Sequence, residues 1–281
     1  MPIVIAVWGP GGNNTAQFSL HLATELARHK KVMLAELPCL GIPRLGFAAG
    51  IMDRDNHTEA AIIELAKKAE LSLDQLHKQQ EMLALLPASV FAVPDYPVTL
   101  KVELETLVDF PASLIQKAAK LGYEIVVLEC QGQLTSPMTF FAVKLADTVI
   151  IPVKEPQEIA FSLINIKRLI QMFKYLPEKF KVVSTANTED LAEVMVIKDE
   201  EGRTTARIDV LYEDPEGLAA SFCNNYETNG EKTLDNPTGK KGQVFTILSG
   251  AVSTIRKSMA GQWAMKGSLA PKHDEIRKVR L

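Results

Sequence analysis

The stretch Trp8–Gln17, WGPGGNNTAQ, decides how the fold of this chain is interpreted. It follows the apolar run IVIAVW (3–8) and precedes FSLHLATELARH (18–29), whose apolar residues recur at helical spacing. A phosphate-binding loop requires this order of strand, glycine-rich turn and helix, because N–H groups of the turn and of the helix start converge on one anion. A working loop of this kind also places a lysine on the outer phosphates, and no lysine follows these glycines.

Apolar, β-branched runs alternate with helical patterns along the chain. This alternation predicts an α/β fold with a mostly parallel, doubly wound sheet flanked by helices. The predicted strands are 3–8, 31–37, 82–87, 124–130, 147–153, 181–186 and 207–212. The predicted helices are 18–29, 110–122, 158–176 and 243–261, with Pro111 placed near the start of the second of these. A hairpin is predicted around GRTTARIDV, with EEG (200–202) as its turn.

Composition limits the class of protein. The 281 residues are 47% hydrophobic and 23% charged, with a net charge of −3, which is typical of a globular protein and gives no global sign of nucleic acid or membrane as a partner. The three cysteines are far apart and form no CxxC pair, so we expect neither a zinc site, an Fe–S cluster nor a disulfide framework. No apolar segment is long enough to span a bilayer, and a cytoplasmic location is expected.

One domain is predicted over residues 1–260, followed by a basic C-terminal tail over 261–281. Residues 254–281 hold seven basic and two acidic side chains. Such a segment is explained either as a solvated tail or as a surface that docks a partner, and the sequence leaves both open.

The glycine-rich turn and its surroundings resemble the MinD/ParA family of deviant Walker-A ATPases, which belong to the SIMIBI class of P-loop proteins. The loop of that family reads K-G-G-x-G-K-[ST]-[ST]. Aligned without gaps, Pro10 replaces its first lysine, Asn14 a glycine, Thr15 the catalytic lysine and Ala16 the Mg²⁺-binding hydroxyl residue. The resemblance implies a nucleotide-binding loop made of Gly9, Pro10, Gly11, Gly12, Asn13, Asn14, Thr15 and Ala16.

Two other interpretations of the turn remain open. A one-residue deletion would place Thr15 on the hydroxyl position, but it would rotate the following helix by about 100° and take its apolar face off the sheet, so the gapless alignment is preferred. Asn13, Asn14 and Thr15 are also explained by a helix N-cap that binds no ligand.

The resemblance extends to two acidic strand ends. VMLAEL (32–37) lies where the family has a strand ending in Asp-x-Asp, and Glu36 keeps the first carboxylate while Pro38 replaces the second, which the family uses in hydrolysis. Glu129, in YEIVVLECQG (123–132), stands for the carboxylate of the second acidic strand.

Residues after the second acidic strand complete the expected site. Gln131 and Gly132 hold the switch position of the family pattern. Glu36 and Glu129 are the weak candidates for Mg²⁺ ligands, and no catalytic residue is assigned. The competing explanation for both glutamates is a carboxylate at a strand end that faces solvent or a lysine. Their place at the carboxyl ends of parallel strands, where ligands bind in open α/β sheets, favours a functional role.

The altered loop implies weak binding of ATP, with Mg²⁺, and little or no hydrolysis. It resembles the TadZ/CpaE-like branch of the family, which localises pilus and secretion machines, so the resemblance implies a homodimer with a protein partner in such a machine. The mildly acidic folded part argues against DNA, and we do not expect membrane association. A nucleotide-free scaffold or interaction module that keeps the ATPase fold is the alternative from another class. A third interpretation is an ATPase that takes positive charge from Arg44 or Lys154.

Overall fold

The computed structural model describes most of the first 230 residues. The described ranges are 1–10, 15–38, 43–73, 76–91, 101–132, 134–184, 194–198, 203–211 and 214–230. Residues Met1–Glu227 form one compact unit, and Thr228–Leu281 separate from it as a second unit. Only residues 228–230 of the second unit are described, so the predicted boundary at residue 260 lies outside the described residues and stays a prediction.

The described chain alternates strands with helices. The strands are β1 (Ile3–Gly9), β2 (Val32–Leu37), β3 (His77–Gln80), β4 (Leu83–Leu86), β5 (Ile125–Gln131), β6 (Thr148–Val153), β7 (Phe180–Ser184), β8 (Val194–Lys198) and β9 (Thr204–Leu211). The helices are α1 (Thr15–Leu26), α2 (Leu45–Ala49), α3 (Thr58–Lys68), α4 (Leu104–Lys120), α5 (Pro137–Leu145), α6 (Pro156–Phe173) and α7 (Pro215–Gly230). A 3-10 turn, Pro177–Lys179, precedes β7.

The strands form one sheet in the order β3-β4-β2-β5-β1-β6-β7-β9-β8. The seven strands from β4 to β9 in this order pair in parallel, whereas β3 and β8 pair antiparallel at the two edges. Because β1 lies between β5 and β6, the turn that follows it opens at the centre of the carboxyl edge. The predicted α/β fold with a mostly parallel sheet is confirmed.

Helices cover both faces of this sheet. On one face, Leu22 and Leu26 of α1 and Leu218 of α7 join a buried core with strand residues such as Ile5 and Val127. On β7, Phe180 stacks on Tyr175, just after α6, while the next residue, Lys181, lies over the Phe222 ring of α7. Successive side chains of a strand point to opposite faces. The segment after α6 and the helix α7 therefore lie on opposite faces of the sheet.

The helix after β4 begins earlier than predicted. α4 starts at Leu104, so Pro111 lies inside it and the placement of this proline near the helix start was wrong. A proline here removes one helical hydrogen bond. The turns before it remain helical because Leu107, Val108 and Phe110 are all buried, and burial outweighs the local preference.

The edge strand β3 was not predicted, whereas the other edge strand, β8, is the first strand of the predicted hairpin. The sequence of β3, HKQQ, is polar throughout and carries no alternating pattern. The antiparallel pairing of β8 with β9 confirms the predicted hairpin. The EEG turn (200–202), the ends of two predicted strands (185–186 and Tyr212) and the predicted helix 243–261 lie outside the described residues.

Candidate functional site

The glycine-rich turn connects the centre of the sheet to the start of α1. β1 ends at Gly9, Pro10 follows it, and α1 begins at Thr15, so the predicted order of strand, turn and helix is present. Gly9 is the register partner of Gln131 on β5, which places the start of the turn beside the predicted switch position. Four predicted loop residues lie outside the described residues: Gly11, Gly12, Asn13 and Asn14.

A buried contact joins the start of α1 to the end of β5. The Thr15 hydroxyl donates a hydrogen bond to a carboxylate oxygen of Glu129, and both residues are fully buried. Thr15 is the first residue of α1, and Ala16 beside it is also buried. The Thr15 hydroxyl therefore donates to a strand carboxylate, whereas an N-cap hydroxyl accepts a helix N–H.

The side chain of the second predicted carboxylate, Glu36, accepts hydrogen bonds from backbone N–H groups and is not exposed to solvent. Its Oε1 accepts the N–H of Arg44 at 2.7 Å, and its Oε2 accepts the N–H groups of Leu45 at 3.2 Å and Ala88 at 2.9 Å. Glu36 is 1% exposed. Burial raises its pKa above the ordinary value of 4.5, and the negative charge of Glu59 adds to the rise, although the three N–H groups act in the opposite direction.

Glu36 and Glu129 lie side by side. They are register partners on β2 and β5, and Val7 of β1 pairs with Glu129 on its other side. Partners in adjacent parallel strands have side chains on the same face, about 4.8 Å apart along the hydrogen-bonding direction. Since Val7 belongs to the core under α1, both carboxylates lie on the α1 face. Neither carboxylate faces solvent, since Glu36 is 1% and Glu129 0% exposed, so that part of the competing explanation was wrong.

The loop after β4 is fixed by residues that the sequence analysis missed. Glu59, 8% exposed, accepts the N–H of Ser89 at 2.8 Å, next to the Ala88 N–H held by Glu36. The buried Thr58 hydroxyl lies 2.9 Å from the carbonyl oxygen of Glu36. A threonine followed by a glutamate in the first turn of a helix was the only available signal, and it indicates helix capping rather than a site.

The end of β1 is also tied to the switch position. The Trp8 indole N–H donates to the carbonyl oxygen of Gly132 at 2.9 Å, and Trp8 is fully buried. Gly132 has φ +79°, a left-handed conformation that glycine adopts without a steric penalty. Trp8 therefore fills the core and orients the backbone after β5.

Two other candidates, Arg44 and Lys154, contribute backbone N–H groups near this edge. Arg44 contributes its backbone N–H to Glu36. The backbone N–H of Lys154 donates to Glu158 at 2.6 Å, in the turn that begins α6.

Among the described residues, no group of three or more His, Cys, Asp or Glu side chains is arranged to hold a metal ion. None of the helices described is both long enough and apolar enough to cross a membrane.

Solved structures with the same fold include ATPases of the ParA type. A ParA family ATPase from Chlorobium tepidum TLS matches with a TM-score of 0.53 and 16% identity, over 67% of this chain and 76% of the other. A plasmid partition protein from Borrelia burgdorferi matches with a TM-score of 0.53 and 17% identity, over 68% of this chain and 83% of the other.

A biosynthetic enzyme shares the fold as well. Cobyrinic acid a,c-diamide synthase from Mycobacterium smegmatis, solved with an ATP analogue and magnesium, matches with a TM-score of 0.52 and 17% identity, over 85% of this chain and 100% of the other. No family model matches the sequence, and no curated protein matches it. At these identities the likeness shows the fold, which is that of ParA-type P-loop ATPases.

Proposed function

We propose that the protein is a MinD/ParA-like positioning protein that binds ATP weakly and hydrolyses it slowly or not at all. The observation that carries this proposal is the buried contact between Thr15 and Glu129 at the carboxyl edge. It brings the hydroxyl of the first residue of α1, at the end of the glycine-rich turn, into contact with a carboxylate on β5, the strand that pairs with β1. The fold of the solved ATPases supports the same assignment.

The contact suits an Mg²⁺ ion that accompanies a nucleotide. Mg²⁺ prefers oxygen ligands and is usually held by one or two protein groups together with waters and substrate phosphates. Thr15 and Glu129 would hold it, and the bound ion would neutralise phosphate charge. Glu36 is already occupied by backbone N–H groups, so Glu129 is the better of the two glutamates for this role. The same contact supports the shifted alignment, in which Thr15 takes the hydroxyl position.

The missing lysine accounts for weak affinity and slow turnover. A charge-assisted hydrogen bond to phosphate is worth roughly 1.5–3 kcal/mol, so its loss weakens ATP binding by about tenfold to 150-fold. Hydrolysis depends more strongly on positive charge at the transition state. Pro38 also stands where the family has its second aspartate. The chain would then act as a nucleotide-loaded switch rather than as an efficient enzyme.

A positioning role follows from the same resemblance. A homodimer would use bound ATP to present a surface to a protein partner in a pilus or secretion machine, in the manner of the TadZ/CpaE-like branch. The net charge of −3 favours a protein partner over DNA. A cytoplasmic location remains a prediction.

The second candidate is a nucleotide-free scaffold that keeps the ATPase fold. The observation in its favour is that both candidate carboxylates already have protein donors, Glu129 from Thr15 and Glu36 from three backbone N–H groups. Hydrogen bonds of this kind stabilise a fold without any ligand.

Calorimetric titration separates the two functions. The full-length protein is titrated with ATP and with ADP, each with and without Mg²⁺, and Thr15→Val is compared with Thr24→Val. The second variant makes the same chemical change about two and a half turns further along α1, where the Thr24 hydroxyl donates to the Leu20 carbonyl oxygen at 2.7 Å. We expect micromolar to sub-millimolar ATP binding, weakened about tenfold or more by Thr15→Val only when Mg²⁺ is present.

The outcomes are distinct. Wild-type protein that gives no heat and no competition at millimolar ATP supports the scaffold. ATP binding that responds equally to Thr15→Val and Thr24→Val contradicts a role for the Thr15–Glu129 contact in holding Mg²⁺. Steady-state phosphate release well above background contradicts the assignment of slow hydrolysis.

A further inference from the structure

The imidazole of His57 faces two groups that place opposite requirements on one nitrogen. His57 is the N-cap of α3, and its Nδ1 accepts the N–H of Ala60 at 3.1 Å. The same Nδ1 lies 3.1 Å from Oε2 of Glu59. A ring nitrogen that accepts an N–H carries no proton, whereas a ring nitrogen that bonds a carboxylate must carry one. Nδ1 therefore bonds only one of these two partners at a time, and its proton decides which.

Glu59 connects this choice to the loop after β4. Its Oε2 also accepts the N–H of Ser89 at 2.8 Å, in a buried hydrogen bond. Ser89 follows Ala88, whose N–H donates to Glu36, and the hydroxyl of Ser89 accepts the N–H of Phe91 at 3.2 Å. A change at Glu59 therefore acts on the backbone of residues 88–91, at the carboxyl edge of the sheet.

The His57–Glu59 pair is largely shielded from water. The side chain of His57 is 16% exposed and that of Glu59 is 10% exposed. Charges in such a place interact more strongly than charges on the surface, because less water screens them. The position of a single proton should therefore have a measurable effect on the groups that the pair holds.

We propose that His57 is a pH-operated switch: the neutral imidazole caps α3 through Nδ1, and the protonated imidazole releases Ala60 and donates Nδ1–H to Glu59. Histidine is the side chain whose charge changes between about pH 5 and pH 8. Acidification then loosens the first turn of α3 and holds the loop after β4 more firmly, since a charge-assisted hydrogen bond fixes the carboxylate that accepts Ser89. This inference goes beyond the proposed function and does not require that ATP binds.

His57 has charged neighbours in the loop before α3 and on β3. Asp53 accepts the backbone N–H groups of Asp55 and Asn56, and these bonds lower the pKa of Asp53 to about 2. Asp53 therefore stays ionised throughout the range of the switch. Nε2 of His77 lies 2.8 Å from the carbonyl oxygen of Asn56 and 3.8 Å from Oδ2 of Asp53. His77 is thus a second histidine whose titration has to be distinguished from that of His57.

Acidic groups also face His57 from α3 and from the sheet. Asp55 and Glu64 line one pocket together with His57. On β2, burial raises the pKa of Glu36, and the negative charge of Glu59 adds to the rise. Glu36 therefore also takes up a proton on acidification. It is retained in every variant used below, so its contribution is common to all of them.

The test is amide hydrogen exchange of the full-length protein, followed by NMR at Ala60 and Ser89 between about pH 5.5 and about pH 8 and expressed as protection relative to an unfolded chain. On acidification we expect the protection of Ala60 to fall by about threefold to thirtyfold, which corresponds to the loss of an N-cap. The protection of Ser89 should rise by about twofold to tenfold, which corresponds to one additional hydrogen bond. Nitrogen chemical shifts of the His57 ring should show Nδ1 without a proton at high pH and with one at low pH.

Two substitutions interrupt the switch in different ways. His57→Asn keeps an oxygen that can cap α3 but has no charge to change, so both amides should lose their pH response. Glu59→Gln keeps an oxygen for the N–H of Ser89 but removes the negative charge, so the response of Ser89 should disappear while that of Ala60 remains. The control is His21→Asn, which makes the same change at an exposed histidine of α1 and should respond as wild type does.

Three results would overturn the proposal. A neutral His57 with its proton on Nδ1 would show that this nitrogen does not cap α3. Equal pH responses in wild type and His57→Asn would assign them to another group, which His77→Asn would identify as His77 if it abolished them. Responses of Ala60 and Ser89 in the same direction would indicate a change in overall stability rather than an exchange of partners at Nδ1. None of these measurements involves nucleotide, so the proposed function stands or fails independently of them.

Discussion

Replacing Glu36 tests how the carboxyl edge of the sheet is held together. Its carboxylate accepts N–H groups from Arg44 and Leu45 at the start of α2 and from Ala88 after β4. The bonds from Leu45 and Ala88 are buried, and the bond from Arg44 is partly buried. Glu36→Ala removes the acceptor for all three.

The magnitude follows from these bonds. Each buried donor left without a partner costs about 1–3 kcal/mol, and removing a buried charge recovers part of the total, so we expect Glu36→Ala to lower the free energy of unfolding by about 3–5 kcal/mol. Glu36→Gln should cost about 1 kcal/mol or less near neutral pH, because its amide oxygen can still accept the Leu45 and Ala88 N–H groups.

The loss of stability caused by each Glu36 substitution should also depend on pH. Because burial raises the pKa of Glu36, the folded state binds its proton more tightly than the unfolded state does. Wild-type stability therefore falls as the pH rises from the ordinary carboxyl range through the raised pKa, and this contribution is absent in both variants. The cost of either substitution should be larger at about pH 5 than at about pH 8.

Urea unfolding measures these differences. For a slope of about 2–3 kcal/mol/M, Glu36→Ala should lower the urea midpoint by about 1–2 M. Glu64→Ala is the control, because Glu64 pairs with Lys68 four residues later, at 2.7 Å on the helix surface, and its replacement should cost about 0.5 kcal/mol or less. The reasoning is refuted if Glu36→Ala costs no more than Glu64→Ala. A penalty that grows with rising pH would refute the sign of the pKa shift.

Two further predictions concern buried side chains. In a Trp263→Phe background Trp8 is the only tryptophan, and its fluorescence should resist quenching by acrylamide because it is fully buried and bonded to Gly132; efficient quenching would contradict its position. Burial lowers the pKa of Lys179 to about 8, partly opposed by the charge of Asp147. The folded state then binds fewer protons than the unfolded state between about pH 8 and pH 10.5, so wild-type stability should rise with pH in this window, relative to Lys179→Met. Parallel pH profiles from urea unfolding of the two proteins would contradict the lowered pKa.

Local sequence patterns were sufficient to predict the parallel strands at the centre of the sheet. The run 3–8 and the run 124–130 became β1 and β5 with almost the predicted bounds, because a strand buried on both faces needs continuous apolar sequence. Local patterns did not predict the edge strand β3, because its residues are polar and it forms by pairing with β4. The start of α4 was misplaced because burial of its first turns outweighed the local signal of Pro111.

The sequence by itself determined that Glu36 and Glu129 stand at the carboxyl ends of parallel strands, since strand ends and turn residues are local properties. Only the tertiary structure decided what each carboxylate does. Thr15 and Glu129 are 114 residues apart in the chain, and they meet because β1 and β5 pair at the centre of the sheet. Glu36 instead accepts N–H groups from the start of α2 and from the segment after β4. Strand order and long-range hydrogen bonds bring these groups together, and no local pattern in the sequence encodes either one.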